Sequence, residues 1–388
     1  MVLSHDLYKP GYLDIRVFYE ARSLVKSGFE VFVVCFVSSE AEFKSQEKYK
    51  SVNIVRVPID MSRQSKARRI LGRSKKKNMI ASKIAELDPD IIHCHDLDTL
   101  SEGAAAAKNS KVPLIYDAHE DWPVLEYSKG SKMMYLATSL LEKILVNNVA
   151  HIITVNKILE EKYSKYGKTT VLYNYPHLDF LKTRIKPAEF RKKYGLAKKT
   201  VIMYHGLIGK RKGIEELIEV AVILAGKHKD LKFLVAGPGY EPFVEVIKSR
   251  GLEESFIFTG RVDHENISAL LECADIYYSI LQPTKQYVTS TPIKIFEAMY
   301  MGLPIIANEE FPEVVEILGK TKAGILVKCD VNEIVNAMEL LIKDPEERVK
   351  LGEKAKKIAE KSYIWETQEA KLVGLYKDLL TNNSSISK

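Results

Sequence analysis

The sequence predicts an α/β protein built from two doubly wound, Rossmann-like domains, and three observations carry the prediction. Short β-branched runs alternate with stretches of helical periodicity in both halves of the chain, which calls for parallel sheets covered on both faces. At 388 residues the chain is long for a single hydrophobic core. The stretch Tyr173-Asn174-Tyr175-Pro176-His177, with the charged run that follows to Lys193, interrupts the alternation near its middle and reads as a linker.

In the first half, strands are predicted at Glu30 to Val37, Val52 to Val57, Asp90 to His95, Val112 to Asp117 and His151 to Val155. Helices are predicted at Ile15 to Lys26, Ala67 to Leu87, Leu97 to Lys108 and Lys132 to Asn147. The opening strand, Met1 to Leu3, is short enough that residues ahead of Met1 are expected. In the second half, strands are predicted at Thr200 to Tyr204, Lys232 to Ala236, Phe256 to Thr259, Ile276 to Ser279, Pro304 to Ala307 and Gly324 to Val327. The expected domains are residues 1–180 and 185–362. Open sheets of this type bind ligands beyond the carboxyl ends of their strands, so the expected site is a cleft between the halves.

Hydrophobic residues at 46% and charged residues at 28% describe an ordinary globular protein, with a disorder-like composition only in the tail Asn382-Asn383-Ser384-Ser385. No apolar run approaches the roughly 20 residues that span a bilayer, and the start lacks signal-peptide character, so the expected location is the cytoplasm. Cys35, Cys94, Cys273 and Cys329 are far apart and form no C-x-x-C pair, which points to reduced thiols. His93-Cys94-His95 has a metal-like look. It lies within a strand pattern with no second ligand pair at zinc spacing, so it reads as structural and no metal is expected.

The net charge of +7 is unevenly placed: Arg63, Lys66, Arg68, Arg69, Arg73, Lys75, Lys76 and Lys77 crowd one segment, and an amphipathic stretch follows at Met133 to Val146. Together these suit peripheral contact with an anionic membrane, although a solvated basic helix is the reading favoured over it. No aromatics interleave the cations and no nucleic-acid motif is present, so a nucleic-acid partner is not expected.

Residues 289–304, Thr-Ser-Thr-Pro-Ile-Lys-Ile-Phe-Glu-Ala-Met-Tyr-Met-Gly-Leu-Pro, hold the most informative local pattern. Thr291 can cap a helix whose first position is Pro292, and such a start, with free N–H groups pointing outward, suits an anion. Lys294 in the first turn opposes the helix dipole at a cost of roughly 0.3–1 kcal/mol unless an anion compensates it. Glu297, a turn further in, is placed to accept from hydroxyls, and Gly302 ends the helix. A nucleoside diphosphate with its ribose satisfies these features together; a solvated lysine and a surface glutamate are the alternative.

A second anion-type loop runs His205-Gly206-Leu207-Ile208-Gly209-Lys210-Arg211-Lys212-Gly213 into a helix at Ile214. Three adjacent cations at a helix start repel one another, with Glu215 and Glu216 as the local compensation. The glycines permit close backbone approach, and Arg211 or Lys212 supplies charge. The loop does not fit G-x-x-x-x-G-K-[ST], which disfavours a nucleoside triphosphatase. Gly237-Pro238-Gly239 is not G-x-G-x-x-G and reads as a structural turn, which counts against a dinucleotide dehydrogenase.

With these pieces in order, the chain resembles a retaining glycosyltransferase of family 4, a group with the two-domain GT-B architecture. The resemblance runs over nearly the whole length: Ser4-His5-Asp6, Asp14-Ile15-Arg16-Val17 and Glu20-Ala21, Gly28-Phe29-Glu30-Val31, Asp90 to Asp96, Tyr116-Asp117-Ala118-His119-Glu120, Gly206 to Gly213, Phe258-Thr259-Gly260, Ala274-Asp275-Ile276 and Pro292 to Pro304. Tyr363-Ile364-Trp365-Glu366 opens a last segment, 363–388, that in this architecture crosses back to the first domain.

The resemblance implies roles for particular residues. Glu297 matches the second acid of the family's E-x7-E motif and would bind the donor ribose. Lys212, with Arg211 and Gly206, would face the diphosphate, and Ser290, Thr291, Pro292 and Ile293 would offer backbone groups to phosphate or sugar oxygens, with Lys294 adding charge. Gly260, Arg261 and Val262 would lie near the base, and Gly11 in a front loop near the phosphate. His119 would contact the transferred sugar close to its reacting carbon, and is the expected catalytic residue. His95, Asp96 and Asp117 would orient its loop, although an Asp at such a strand end also commonly satisfies loop N–H groups.

Two departures stand out. The first acid of E-x7-E falls at Thr289, a sugar-contact position, and the arginine often found after the glycine matching Gly206 is Leu207. Transfer is expected from a nucleotide-diphosphate sugar to a glycan or lipid-linked acceptor, with retention and no cofactor; no Asp-x-Asp motif lies where a metal-dependent transferase needs it. A nucleotide-sugar epimerase, and a donor-binding but inactive partner subunit, are the alternatives.

Overall fold

The computed structural model describes residues 1–9, 12–39, 42–59, 66–128, 130–181, 187–288 and 293–386. The chain divides into two compact units, one of Met1–Asn174 with Glu366–Lys388 and the other of Tyr175–Trp365.

The first unit opens with β1 (Val2–Leu3), a hairpin of β2 (Tyr8–Lys9) and β3 (Tyr12–Leu13), and α1 (Ile15–Lys26). There follow β4 (Phe32–Ser38), β5 (Gln46–Tyr49), β6 (Val52–Ile59), α2 (Lys66–Ala85), β7 (Ile92–His95), α3 (Leu97–Ser110) and β8 (Leu114–Ala118). Then come α4 (Trp122–Ser128), α5 (Lys132–Val146), β9 (His151–Thr154), α6 (Lys157–Ser164) and β10 (Thr169–Val171). The sheet runs β10-β9-β8-β7-β1-β4-β6-β5. The apolar run of β4 is buried through its middle five residues, as a central parallel strand requires. One edge departs from the predicted parallel pattern: Gln46–Tyr49 is too polar to be read as a strand, yet pairs antiparallel with β6, Gln46 opposite Val55 and Tyr49 opposite Val52.

The second unit contains α7 (Leu178–Leu181), α8 (Pro187–Lys193), β11 (Thr200–His205), α9 (Ile214–Lys227), β12 (Leu231–Ala236), α10 (Glu241–Ser249) and β13 (Phe256–Gly260). It continues through α11 (His264–Leu271), β14 (Ile276–Ser279), α12 (Lys285–Val288), α13 (Ile293–Tyr300), β15 (Ile305–Asn308), α14 (Pro312–Val314) with a π turn behind it, and β16 (Ile325–Val327). Helices α15 (Val331–Lys343) and α16 (Pro345–Ser362) close it. Its sheet is parallel throughout, in the order β13-β12-β11-β14-β15-β16. The strand order reverses beside β1 in the first sheet and beside β11 in the second, and ligand crevices of doubly wound folds open at such points.

The last helix, α17 (Glu366–Ile386), packs on α1 of the first unit. Its Tyr376 hydroxyl lies 2.8 Å from His93 Nδ1, and its ring meets Phe29 edge-on. The turn into α17 is fixed by Trp365, which is buried and donates its main-chain N–H to the Pro176 carbonyl at 2.9 Å.

Candidate active site

In the first unit, polar side chains collect where β1, β7 and β8 end. Asp14 caps α1 by accepting from the Val17 N–H (3.1 Å), and its other oxygen meets His5 Nε2 at 2.8 Å. Asp117, next to last in β8, is wholly buried. Arg16 reaches it from α1, donating from Nη2 to both oxygens at 2.9 and 3.0 Å, while Nη1 donates to the Leu172 carbonyl and Asn174 Oδ1. Burial opposes charge on Asp117, but Arg16 and His119 hold its carboxyl well below the usual range.

His119 follows directly. Its Nε2 is 3.2 Å from Asp117 Oδ2 and its Nδ1 is 3.4 Å from Asp96 Oδ2, while its main-chain N–H donates to Asp96 Oδ1 at 3.1 Å. Trp122 Nε1 donates to that same Asp96 oxygen. Burial works against charge on His119, but Asp96 and Asp117 outweigh it and raise its pKa to about 9. At neutral pH this side chain is therefore an imidazolium, a fixed charge and hydrogen-bond donor rather than a base.

Behind it, Glu20, His93, His95 and Asp117 each bring one ligand-type atom within 4.8 Å of the others. The polar residues of β7 thus meet two carboxylates that no local spacing reveals. Arg16 already occupies this cluster, with Nε 3.1 Å from Glu20 Oε1, and its charge would repel a metal ion. Burial and the Asp117 charge push the Glu20 carboxyl well above the usual range, with Arg16 opposing the shift; burial and the neighbouring His93 push the His95 imidazole well below its own.

In the second unit, Glu297 lies in α13, almost fully buried, with Oε2 2.9 Å from His205 Nε2 at the end of β11. His205 Nδ1 is 3.1 Å from the Tyr277 hydroxyl on β14, so two strands aim one carboxylate. Beyond His205 the chain turns at Gly206, whose φ is +120°, and a Cβ there would collide with the Lys294 ammonium. Burial lowers the Lys294 pKa to about 8, with Glu297 opposing the shift and Lys212 adding to it. Lys212 Nζ sits 4.2 Å from the centre of the Tyr287 ring. Gly213, at φ +83°, begins α9 against the Ile280 carbonyl. The Gly237-Pro238-Gly239 turn supports this loop from behind: a Cβ on Gly237 would strike the Gly206 carbonyl, and the Pro238 carbonyl accepts from the Ile208 N–H at 3.0 Å.

Two family models divide the chain between these units. Residues 14–179 match Glycosyltransferase Family 4, and residues 187–358 match Glycosyl transferases group 1. The chain belongs to glycosyltransferase family 4. Among curated relatives of this glycosyltransferase, the alpha-D-kanosaminyltransferase of Streptomyces kanamyceticus is 30% identical over 200 residues, 51% of this chain and 50% of that protein. A GDP-mannose-dependent alpha-(1-6)-phosphatidylinositol monomannoside mannosyltransferase of Mycolicibacterium smegmatis is 26% identical over 301 residues, 72% of this chain and 76% of the relative. The fold matches the sucrose-phosphate synthase of Thermosynechococcus elongatus with a TM-score of 0.78 at 17% identity, over 98% of both chains. The Anabaena protein HepE, solved with UDP-glucose, matches with a TM-score of 0.72 at 16% identity, over 97% of this chain and 98% of its own. The glycosyltransferase is thus of the GT-B class, and the epimerase alternative is set aside.

Of the site residues predicted from the sequence of this family 4 glycosyltransferase, His95, Asp96, Asp117 and His119 stand together in the first unit, and Gly206, Lys294 and Glu297 in the second. Arg211 has φ +63°, an exposed side chain and a main-chain N–H directed at Glu215 Oε2. Gly260 ends β13 at φ +65°, followed by exposed Arg261 and half-buried Val262, and Ile293 is the first described residue of α13. Gly11, Arg63, Thr289, Ser290, Thr291 and Pro292 lie outside the described residues. Arg16, Glu20, His205 and Tyr277 were not anticipated as site residues. His205 and Tyr277 each lie within an apolar strand, and only strand pairing brings them beside Glu297. The four cysteines are free, as expected.

Proposed function

We propose that this glycosyltransferase moves a sugar, with retention of anomeric configuration and without a metal, from a nucleotide-diphosphate sugar to a glycan or lipid-linked acceptor. The observation that carries this reading is the buried Glu297 carboxylate, held by His205 beside Lys294 and the Gly206 turn at the carboxyl end of β11. A carboxylate beside cations and a glycine turn suits a ribose with its diphosphate.

In this reading Glu297 accepts from the ribose hydroxyls, and Lys212, Arg211 and Lys294 neutralise the diphosphate. Gly11, Gly206 and the backbone of Ser290, Thr291, Pro292 and Ile293 approach phosphate or sugar oxygens. Gly260, Arg261 and Val262 border the base, and Thr289 faces the sugar. His119 contacts the transferred sugar. The anomeric carbon–oxygen bond to the diphosphate breaks as the acceptor oxygen bonds on the same face, and the acceptor proton passes to a diphosphate oxygen. The cations supply the leaving-group stabilisation that a metal provides elsewhere.

Among the described residues no helix is long and apolar enough to cross a membrane. A cytoplasmic protein with peripheral membrane contact through Arg63 to Lys77 fits a lipid-linked acceptor. A relative that acts on a phosphatidylinositol mannoside supports that acceptor class.

The test is nucleoside diphosphate release from a panel of UDP- and GDP-sugars with glycan and lipid-linked acceptors, run with and without a chelator. Acceptor-dependent release that survives the chelator, with the product in the donor's anomeric configuration, is expected. Tight donor binding without turnover on any acceptor would mark an inactive partner subunit instead.

A further inference from the structure

Helix α5 is built inside out. Its buried side carries Thr138, Glu142 and Val146, and Glu142 receives hydrogen bonds from Lys162 Nζ at 2.7 Å and from the Tyr163 hydroxyl at 2.5 Å. Its outer side carries Met133, Leu136, Leu140, Leu141 and Ile144, between 47% and 76% exposed. Scattered single apolar residues are normal on a surface; five large aliphatic side chains on one face of one helix are not.

The charges sort in the same sense. Glu142 is the one carboxylate in the helix sequence and it faces inward, which leaves Lys132 and Lys143 as the exposed charges of α5. Tyr127, at the end of α4, extends the patch through an edge-on contact with Tyr135 at 5.9 Å.

We propose that the outer face of α5 is a docking surface for an anionic lipid bilayer. The aliphatic side chains enter the boundary between headgroups and acyl chains, and the two lysines meet lipid phosphates. A second copy of this chain complements the face poorly, because a two-fold pairing sets the same face against itself and α5 offers no outward carboxylate to match its lysines. At 15 residues, about 22 Å long at 1.5 Å per residue, the helix is too short to cross a bilayer and suits lying along its surface. The proposal rests on the peripheral-membrane reading, in which the Met133 to Val146 stretch already accompanies Arg63 to Lys77, and deepens it by naming the face of α5 that meets the lipid; it requires no transfer chemistry.

The test sediments the full chain with phosphatidylcholine vesicles, with and without phosphatidylglycerol, in the absence of donor and acceptor. The protein is expected to pellet with the phosphatidylglycerol vesicles. The double substitution Leu136→Glu, Leu140→Glu lowers the bound fraction roughly tenfold or more, and Lys132→Glu with Lys143→Glu abolishes the preference for phosphatidylglycerol. Thermal melting of each variant checks that the fold is kept. Wild-type binding by the leucine variant, or no vesicle binding by the wild type, overturns the proposal. So does a wild-type dimer, seen by sedimentation equilibrium, that the leucine variant converts to monomer. Because donor turnover is read separately, vesicle binding can fail while the transfer reading holds, and the reverse.

Discussion

His205 Nε2 and Glu297 Oε2 lie 2.9 Å apart, and the opposite nitrogen of the same ring faces the Tyr277 hydroxyl. The carboxylate is thus aimed by two neighbouring strands rather than by its own helix. Glu297→Ala is expected to weaken nucleotide-sugar binding by about 1.5–3 kcal/mol, the worth of hydrogen bonds to a charged group. Titration calorimetry with the preferred donor checks this, and unchanged affinity would remove the ribose role.

Lys294 titrates near pH 8 in the unliganded protein, since burial lowers its pKa from an ordinary 10.5. The folded state therefore binds fewer protons than the unfolded one between about pH 8 and 10.5, so this group makes the apo protein more stable as pH rises through that window. A bound diphosphate reverses the preference. Donor binding above pH 8 is expected to take up a proton, measurable as a buffer-dependent calorimetric enthalpy, and Lys294→Met is expected to abolish that uptake.

His119 has the opposite sign. Its pKa is raised from 6.5 to about 9, so its stabilising charge is fully present below 6.5 and is lost as pH climbs through 9. Turnover that depends on the imidazolium should fall over the same upper range. His119→Ala is expected to lower kcat by roughly a hundredfold or more, the effect of removing a preorganised donor at a reacting centre, and to flatten the alkaline limb of the pH profile.

Arg16→Met leaves the buried Asp117 carboxylate without its main counter-ion. Stripping one partner from a buried pair costs about 3–5 kcal/mol. Denaturant unfolding of the variant should show a loss of that order, and Arg16→Lys, which keeps the charge but loses the two-pronged geometry, should fall in between.

Gly213→Ala places a Cβ at φ +83° against the Ile280 carbonyl. The strained backbone alone costs about 1–3 kcal/mol. A lower melting temperature is expected, with weakened donor binding because α9 starts from this residue.

Much of this was legible in the sequence because it is local. The run from Phe32 to Val37 could be little other than a central strand, and Gly302 was readable as a helix stop, which its φ of +75° makes it. Glu297 and His119 were found through motif positions. What was not legible depends on contacts far apart in the chain. Arg16 meets Asp117 across 101 positions and His93 meets Tyr376 across 283, and neither spacing has a periodic signature. The edge strand Gln46–Tyr49 escaped for a different reason: an exposed strand needs no apolar pattern, only an unsatisfied neighbour, here β6.

The hydrogen bond from Trp365 to Pro176 brings the two points where the chain changes units side by side. Synthesis therefore delivers the units out of step. The second unit is complete once Trp365 has emerged, while the first still lacks α17, and until that helix arrives His93 has no Tyr376 and α1 no cover on that flank. On the ribosome the unit begun first is the one finished last, so a chain truncated before Glu366 should yield a folded second half joined to a first half exposed to proteases.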